Sequence, residues 1–298
     1  MFRTVYVSSE KEITVVDNWL LVKNNEGEEN KIPVDDIFTL LLENVHIRIS
    51  VYALQYLSSK GVNVICCNEK YMPVCNIIPF AEHYRPYGVL KKQFALTTSF
   101  KNLIWQRIVK AKVMNQYYVA QAAGVENDVV ERLRHLADEV LPGDIGNREA
   151  IAAKMFFRNL YGYNFVRFES DVLNSALNYG YSIIRSAVAR SLVSYGYNCI
   201  LGVHHINENN AFNLADDFME PFRPVVDQWV NEHHEELVNE LSKQNKLALV
   251  NLLNIEMIWN NKKMKLHNAL DKYVASFTTA IIKSDINKLL IPKVIIND

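Results

Sequence analysis

The feature that most constrains the fold of this chain is a change of hydrophobic pattern near residue 80. Before it, short segments such as EITVV, WLLVK and NVHIRIS are rich in β-branched and aromatic residues, and polar turns such as NNEGEEN separate them. Such segments are typical of strands. After it, the pattern becomes helical almost to the end of the chain. We therefore predict an α+β protein with a small β-rich N-terminal domain and a larger all-α C-terminal domain.

The domain boundaries follow from the residues that break both patterns. Pro79, Pro86 and Gly88 interrupt the segment PFAEHYRPYG, as in a linker. The prediction is a β-rich domain at 1–80, a linker at 81–92 and a helical domain at 93–298. One helix is expected in the first domain, from the N-cap Ser50 to Gly61. The other helices are expected near 98–122, 125–140, 148–160, 171–195, 213–241 and 245–285.

Composition narrows the class of protein. Of the 298 residues, 49% are hydrophobic and 22% are charged, which is ordinary for a globular chain. No run approaches the ~18 apolar residues of a membrane span, and the first residues lack the apolar core of a signal peptide. We therefore expect a cytoplasmic protein with no membrane contact. The four cysteines form neither a CxxC pair nor a disulfide framework and are expected to be reduced and buried.

Charge is unevenly distributed, although the formal net charge is only −1. Residues 83–125 contain seven Lys and Arg but no Asp or Glu, and Tyr84, Tyr87 and Trp105 lie among them. Two interpretations fit this segment. It is either a surface that meets phosphate groups or a solvated helix face that pairs with acids elsewhere in the fold.

Histidines and carboxylates are concentrated in one stretch, GVHHINENNAFNLADDFMEPFRP at 202–224. Imidazole and carboxylate are ligands for divalent metal ions. Glu220 shares a helix face with Asp217 or with Asp216, and Pro221 should kink that helix. The same residues would suit a surface cluster of ion pairs, so spacing alone leaves both interpretations open.

Glu149 is a second candidate ligand, at the opening of the helix NREAIAAKMFFRNL. Ala152, Ala153 and Phe156 continue its face, so the carboxylate adjoins an apolar surface. Burying an unpaired charge costs several kcal/mol, and such a group requires a cation or strong hydrogen bonds. The alternative is a first-turn glutamate that the helix dipole stabilises.

Three motifs resemble, in order, those of the CRISPR-associated integrase family, the endonucleases that insert new spacers into CRISPR arrays. They are REAIAAKMFF, LNYGYSIIRSAVARSLVSYGYN, and GVHH followed by NLADDFMEPFRPVVD. The match covers most of the chain, and the paired histidines with DDFMEPFRP are most similar to the branch found in type II systems. The resemblance implies a prokaryotic metal-dependent enzyme in which a DNA 3′-OH attacks a phosphodiester at a repeat end.

The resemblance also implies the residues of the site. Glu149, His205 and Glu220 correspond to the catalytic residues that bind Mg²⁺ or Mn²⁺. Asp217 corresponds to a further acid near the metal, as a ligand or as a neighbour of the ligands, and His204 is expected to orient a ligand, to touch DNA or to be structural. The family often has aspartate in place of Glu220, which leaves the coordination geometry open.

The partners implied are double-stranded DNA, as prespacer and as CRISPR repeat, and a second copy of the chain that dimerises through the N-terminal domain. A dimer of a small ferredoxin-like adaptation protein would complete a heterohexamer, and other type II adaptation proteins are further candidates. The apolar C-terminal segment LLIPKVIIND is expected to dock on its own domain or on a partner. The residues selected for contact with the DNA backbone are Arg85, Lys91, Lys92, Lys101, Arg107, Lys110, Lys154, Arg158 and Arg223.

Two rival functions remain open at this point. One is a stand-alone nuclease for branched DNA, and the other is a non-catalytic DNA-binding scaffold in which the acids are structural. The sequence contains no GxxxxGK[ST] loop, GxSxG elbow or HExxH motif, so nucleotide hydrolysis, esterase and common metallopeptidase activities are not indicated.

Overall fold

A computed structural model of the chain describes residues 3–79, 83, 85–167 and 169–295. The chain divides into two compact units, residues 1–84 and 85–298. None of the helices within the described ranges combines the length and the hydropathy of a membrane span.

Within its described residues, the first unit contains two four-stranded sheets and one α-helix, α1. Its elements are β1 (Arg3–Val7), β2 (Glu12–Val16), β3 (Trp19–Lys23), β4 (Glu29–Pro33), β5 (Ile37–Leu42), β6 (Arg48–Ile49), α1 (Val51–Ser59), β7 (Asn63–Cys67) and β8 (Pro73–Ile77). One sheet has the order β1-β5-β7-β8, in which β8 alone is antiparallel to its neighbour. The other has the order β4-β3-β2-β6, in which β6 is parallel to β2.

The core of the first unit lies between these strands and α1. Leu40 and Val64 are register partners on β5 and β7, and both are fully buried. Leu57 of α1 packs into the same cluster. The side chain of Ser50 accepts a hydrogen bond from the amide of Ala53 at 3.1 Å, as predicted for an N-cap. The prediction of a β-rich segment with one embedded helix is therefore confirmed.

The second unit is mainly helical. Its helices are α2 (Pro86–Phe94), α3 (Thr98–Ala122), α4 (Asn127–Asp138), α5 (Arg148–Tyr161), α6 (Val172–Ser194), α7 (Asn213–Met219), α8 (Arg223–Glu232), α9 (Lys243–Asn251) and α10 (Leu266–Lys283). The long helix α6 is buried along most of its length and packs on α7, α8, α9 and α10. At Gly180 a Cβ would lie 2.5 Å from Cγ1 of Val226, so this crossing of α6 and α8 requires glycine.

The prediction of an all-α second domain is wrong in one segment. The helix expected at 245–285 is interrupted by a hairpin of β9 (Glu256–Trp259) and β10 (Lys262–Lys265), and β9 also pairs with β11 (Lys293–Val294). Asn260 and Asn261 form the turn with φ values of 46° and 62°. Asparagine tolerates this left-handed conformation, which a tight two-residue hairpin requires at both positions.

Three smaller expectations also need correction. The helix expected at 213–241 ends at Glu232, and the kink predicted at Pro221 is a 3-10 turn, Glu220–Phe222, between α7 and α8. Part of the segment predicted as a linker, 81–92, belongs to α2. Pro86 occupies the first helical position, where the N–H that proline lacks would have no partner within the helix. Residues 80–82 and 84 lie outside the described residues. The cysteines are free as expected, but Cys75 is exposed.

Candidate functional site

The first turn of α5 positions Glu149. Asn147 precedes the helix with a φ of +49°, and the buried carboxylate of Asp144 accepts hydrogen bonds from two amides of the first turn. These amides are those of Arg148, at 2.9 Å, and of Glu149, at 3.0 Å. An acid that binds the free amides of a helix start fixes where the helix begins. The side chain of Glu149 is 25% exposed, so the apolar setting predicted for it is only partial.

Glu220 lies in the turn between α7 and α8 and is nearly fully buried. Its Oε1 atom lies 2.7 Å from Nε of Arg223. The Arg223 guanidinium in turn lies over the ring of Tyr181, 4.6 Å from its centroid. The carbonyl oxygen of Pro221 accepts a hydrogen bond from the side-chain amide of Asn115 at 2.7 Å. The break that Pro221 was predicted to cause is thus held in place from α3.

Asp217 organises the loop that carries the two histidines. Its side chain is fully buried, and Oδ2 accepts hydrogen bonds from the amides of Val203, at 2.6 Å, and His204, at 3.1 Å. Oδ1 accepts one from the amide of His205, at 3.0 Å, and lies 2.7 Å from Nδ1 of the same residue. Both oxygens are therefore used within the loop, and a Nδ1–H donated to Asp217 leaves Nε2 of His205 as the nitrogen that can bind a metal.

Trp105 of α3 supports the histidine pair. The ring of His204 is stacked on the buried indole, with centroids 4.1 Å apart and an interplanar angle of 1°. The ring of His205 meets the same indole edge-on at 5.6 Å. His204 therefore acts as a packing partner of Trp105, which is the structural option left open for it by the sequence. One interpretation of the basic segment places Trp105 on a surface that meets phosphate groups, but its side chain is 1% exposed and packs against the two histidines instead.

The residue that the sequence interpretation did not assign to the site is Lys112. Its ammonium lies 2.6 Å from Oε1 of Glu149 and 2.5 Å from Oε2 of Glu220. Lys112 was counted with the basic segment, yet its side chain is only 9% exposed. The sequence contains a signal that Lys112 is buried. Lys112 follows Trp105 and Ile108 at helical spacing and lies on the buried stripe of α3.

The charges of this cluster shift the pKa values of its members. Burial alone would raise the pKa of Glu220, but the adjacent Arg223 and Lys112 lower it to about 2. Burial opposes the charged form of Lys112, but Glu220 and Glu149 raise its pKa. The hydrogen bond to Asp217 is the main cause of the raised pKa of His205, to which Glu220 and Glu149 also contribute. Glu149, His205 and Glu220 thus lie in one electrostatic cluster.

The donor set suits a divalent metal ion, because two carboxylates and one imidazole are hard and borderline ligands. Within the described ranges, however, no group of three or more His, Cys, Asp or Glu side chains is arranged to hold a metal. The positive charge between the two carboxylates belongs to Lys112. The donor set therefore suits a cation in its chemistry, and the cation that contacts Glu149 and Glu220 in this structure is the ammonium of Lys112.

The residues selected for DNA contact fall into two groups. Arg85, Lys91, Lys92, Lys154 and Arg158 are exposed, and Lys101 is partly exposed. Arg107, Lys110 and Arg223 make side-chain contacts within the protein, and Lys110 is exposed as well. Arg107 donates to Asn287 at 2.9 Å, Lys110 forms an ion pair with Asp138 at 2.8 Å, and Arg223 binds Glu220.

The C-terminal segment docks on its own unit. The Asn115 amide donates to the carbonyl of Pro292 at 3.3 Å and accepts from the amide of Val294 at 3.1 Å. The same side chain binds Pro221 next to Glu220. One buried amide therefore joins the end of the chain to the turn that carries a candidate ligand. Residues 296–298 lie outside the described residues.

Comparison with known proteins shows the family to which the chain is similar. The family model for "CRISPR associated protein Cas1" matches residues 5–246. The "CRISPR-associated endonuclease Cas1" of Neisseria meningitidis serogroup C is 35% identical over 297 residues, which cover 99% of this chain and 97% of the relative.

Solved structures share the fold. A casposase described as bound to an integration product superposes with a TM-score of 0.76 at 16% identity, covering 96% of this chain and 93% of the casposase. A chain from a "Cas6-RT-Cas1--Cas2 complex" also has a TM-score of 0.76 at 16% identity, covering all of this chain and 36% of the other. The length of the sequence match shows that the chain belongs to the CRISPR-associated Cas1 family.

Proposed function

We propose that this protein is a metal-dependent DNA integrase and endonuclease that inserts new spacers into a CRISPR array. The observation that carries the proposal is the meeting of Glu149 and Glu220 around one positive charge, with His205 oriented by Asp217 and its pKa raised in part by both glutamates. Carboxylates that face a cation, together with an oriented imidazole, are the parts of a site for phosphodiester chemistry.

In this proposal Glu149, Glu220 and His205 hold the ion. Bound Mg²⁺ or Mn²⁺ would polarise the scissile phosphate and stabilise negative charge on the leaving 3′ oxygen. Glu220 is suited to ligation because its lowered pKa keeps it ionised at neutral pH. Asp217 holds His205 through the Nδ1 hydrogen bond, and Trp105 restricts the rotation of the imidazole. These two contacts hold the imidazole of His205 in a defined orientation.

The substrate of the proposed reaction is a DNA end with a free 3′-OH. Attack of that hydroxyl on a phosphodiester at the end of a repeat forms one new ester bond and releases one 3′-OH, so no nucleotide hydrolysis is needed. Water in the place of the hydroxyl would cut the strand instead. This second candidate, a nuclease, is favoured by the name endonuclease given to the Neisseria relative.

Binding outside the metal is proposed to involve the DNA backbone. The exposed Lys91, Lys92, Lys154 and Arg158 are the selected residues with the greatest freedom to meet phosphates. Backbone contacts position DNA without reading its sequence, which suits an enzyme that must accept many spacers. By analogy with the complex that contains a Cas1 and a Cas2 chain, we further propose a homodimer that assembles with a small Cas2-type adaptation protein.

A strand-transfer assay tests the proposal. Purified protein with its adaptation partner is incubated with labelled 3′-OH DNA, a repeat-containing plasmid and Mg²⁺ or Mn²⁺. Glu149→Gln and His205→Ala should abolish joining of label to plasmid, whereas Glu256→Gln, an exposed acid on β9, should leave it intact. Full activity of either site variant would overturn the proposal. Cleavage of branched DNA without any joining would favour the stand-alone nuclease.

A further inference from the structure

The ammonium of Lys112 contacts the carboxylates that a metal ion at the proposed site would use. Its ammonium binds Oε1 of Glu149 and Oε2 of Glu220, while Arg223 binds Oε1 of Glu220. Both oxygens of Glu220 therefore already face a cation. A metal ion that binds Glu220 must displace Lys112 or Arg223 from it.

Charge balance leads to the same conclusion. The two carboxylates face two cationic side chains, so the formal charges of this group cancel without any metal. Glu220 is nearly fully buried, and Lys112 and Arg223 are mostly buried. Adding a doubly charged ion to this largely buried neutral group leaves excess positive charge around Glu220, which is unfavourable in a medium of low dielectric constant. The metal-bound state is therefore favoured when one of these cations withdraws.

Of the two cations, Lys112 is the easier to displace. Arg223 is held twice, by Glu220 at 2.7 Å and by the face of Tyr181. The Lys112 ammonium is a point charge at the end of four flexible methylenes, and its bonding partners in the structure are the two carboxylates. Rotation about its side-chain torsions can remove the ammonium without moving α3.

We propose that Lys112 is an internal counter-ion that keeps the two carboxylates together in the metal-free protein and competes with the metal ion for them. This inference rests on the proposed metal site at Glu149, His205 and Glu220. It makes Lys112 a positioning residue that sets metal affinity.

Direct measurement of Mn²⁺ binding to the full-length protein tests this role. Isothermal titration of Lys112→Met, which keeps the length and removes the charge, should show affinity at least about tenfold above wild type, or ~1.4 kcal/mol. Lys272→Met, at an exposed position of α10, is the matched control and should bind like wild type. Equal or weaker binding by Lys112→Met, with wild type binding normally, overturns the competition and leaves the proposed function standing. Absence of Mn²⁺ binding in both proteins overturns the inference together with the proposed metal site.

A second measurement avoids dependence on a variant that could fold poorly. Acetylation of wild-type lysines, followed by mass spectrometry, reports how accessible each ammonium is. Lys112 should be protected in the metal-free protein and become modified when Mn²⁺ saturates the site, while Lys272 should react equally in both states. Continued protection of Lys112 at saturating Mn²⁺ overturns displacement.

Discussion

Nδ1 of His205 lies 2.7 Å from Oδ1 of Asp217, and the same carboxylate accepts hydrogen bonds from the backbone amides of three consecutive residues. One buried acid therefore sets the backbone of the loop and the tautomer of the histidine together. The sequence left the role of Asp217 open between metal ligand and neighbour of the ligands. With four hydrogen bonds to its two oxygens, it has the geometry of a residue that orients His205.

Replacement of Asp217 should change the titration of His205. Asp217→Asn removes the main cause of the raised pKa, so NMR titration should show a lower His205 pKa than in wild type. A raised folded-state pKa adds stability that is full below the ordinary value of about 6.5 and is lost as pH rises through the folded value. The free energy of unfolding of Asp217→Asn should therefore lack this pH-dependent contribution. Asp216→Asn is the control, because Asp216 binds Asn210 instead; an unchanged His205 pKa in Asp217→Asn would contradict the assignment.

Gly202 should tolerate no side chain. A Cβ there would overlap the carbonyl oxygen of His205 and lie 3.0 Å from Oδ2 of Asp217. We expect Gly202→Ala to lower the free energy of unfolding by roughly 1–3 kcal/mol and to disturb the histidine loop. Gly88→Ala is the control: its nearest neighbour would be Cβ of Arg85 at 4.0 Å, so this helical site should gain up to about 1 kcal/mol. Urea denaturation of both variants measures the difference, and equal stabilities would refute the steric argument.

Local signals predicted the long helices well. Helices α3 and α6 begin and end within one residue of the predicted bounds, because Thr97 and Asp171 each cap a first turn with the side chain. The hairpin at 256–265 was missed although Asn260 and Asn261 signal a turn. The residues that flank this turn also fit a helical pattern. The pairing of β9 with β11 favours the strands over a helix. That pairing joins residues far apart in the chain.

The structure brings Glu149 and Glu220, two of the predicted ligands, to one cation, Lys112, which the sequence interpretation did not assign to the site. Glu149 and His205 are part of recognisable motifs, so resemblance identified them. Lys112 is a basic residue among basic residues, and composition assigned it to the surface. Its neighbours along the buried stripe of α3 were the contrary signal. The partners of Lys112 lie 37 and 108 positions away along the chain, and only the fold brings them together.

Exposed lysines of α2 should contribute to DNA affinity through phosphates. Lys91→Ala combined with Lys92→Ala should weaken binding to DNA of any sequence and reduce the slope of log affinity against log salt by about 0.9 for each phosphate that is no longer neutralised. Fluorescence anisotropy over a salt series gives this slope. Lys243→Ala, an exposed lysine outside the basic segment, is the control. A slope identical to wild type would exclude these lysines from the DNA surface.

Asn115 should be important for stability because three backbone groups depend on its side chain. Asn115→Ala leaves the carbonyls of Pro221 and Pro292 and the amide of Val294 without this partner in a buried place. We expect a loss of about 2–4 kcal/mol in the free energy of unfolding. Asn287→Ala removes only an exposed hydrogen bond with Arg107 and should change stability by less than about 0.5 kcal/mol. Urea denaturation compares the two, and a similarly small effect of both substitutions would show that the tail is held by other interactions.

Asp227 should make folding stability fall between mildly acidic and neutral pH. Burial raises its pKa to about 7, and the hydrogen bond from Tyr181 and the charge of Arg223 offset this only in part. The folded protein then keeps a proton that the unfolded chain releases near its ordinary value of about 3.9, so stability decreases as pH rises between these values, by at most ~1.4 kcal/mol per pH unit.

Asp227→Asn removes this titration and should therefore be more stable relative to wild type at pH 8 than at pH 5, as measured by urea denaturation at both values. Asp35→Asn is the control, since the hydrogen bond from Asn18 lowers the pKa of that exposed acid and leaves it ionised across the whole range. Curves of stability against pH that run parallel for wild type and Asp227→Asn would mean that Asp227 is already ionised at pH 5. In that case the buried pair of Tyr181 and Asp227 would carry a full negative charge beside Arg223 throughout the physiological range.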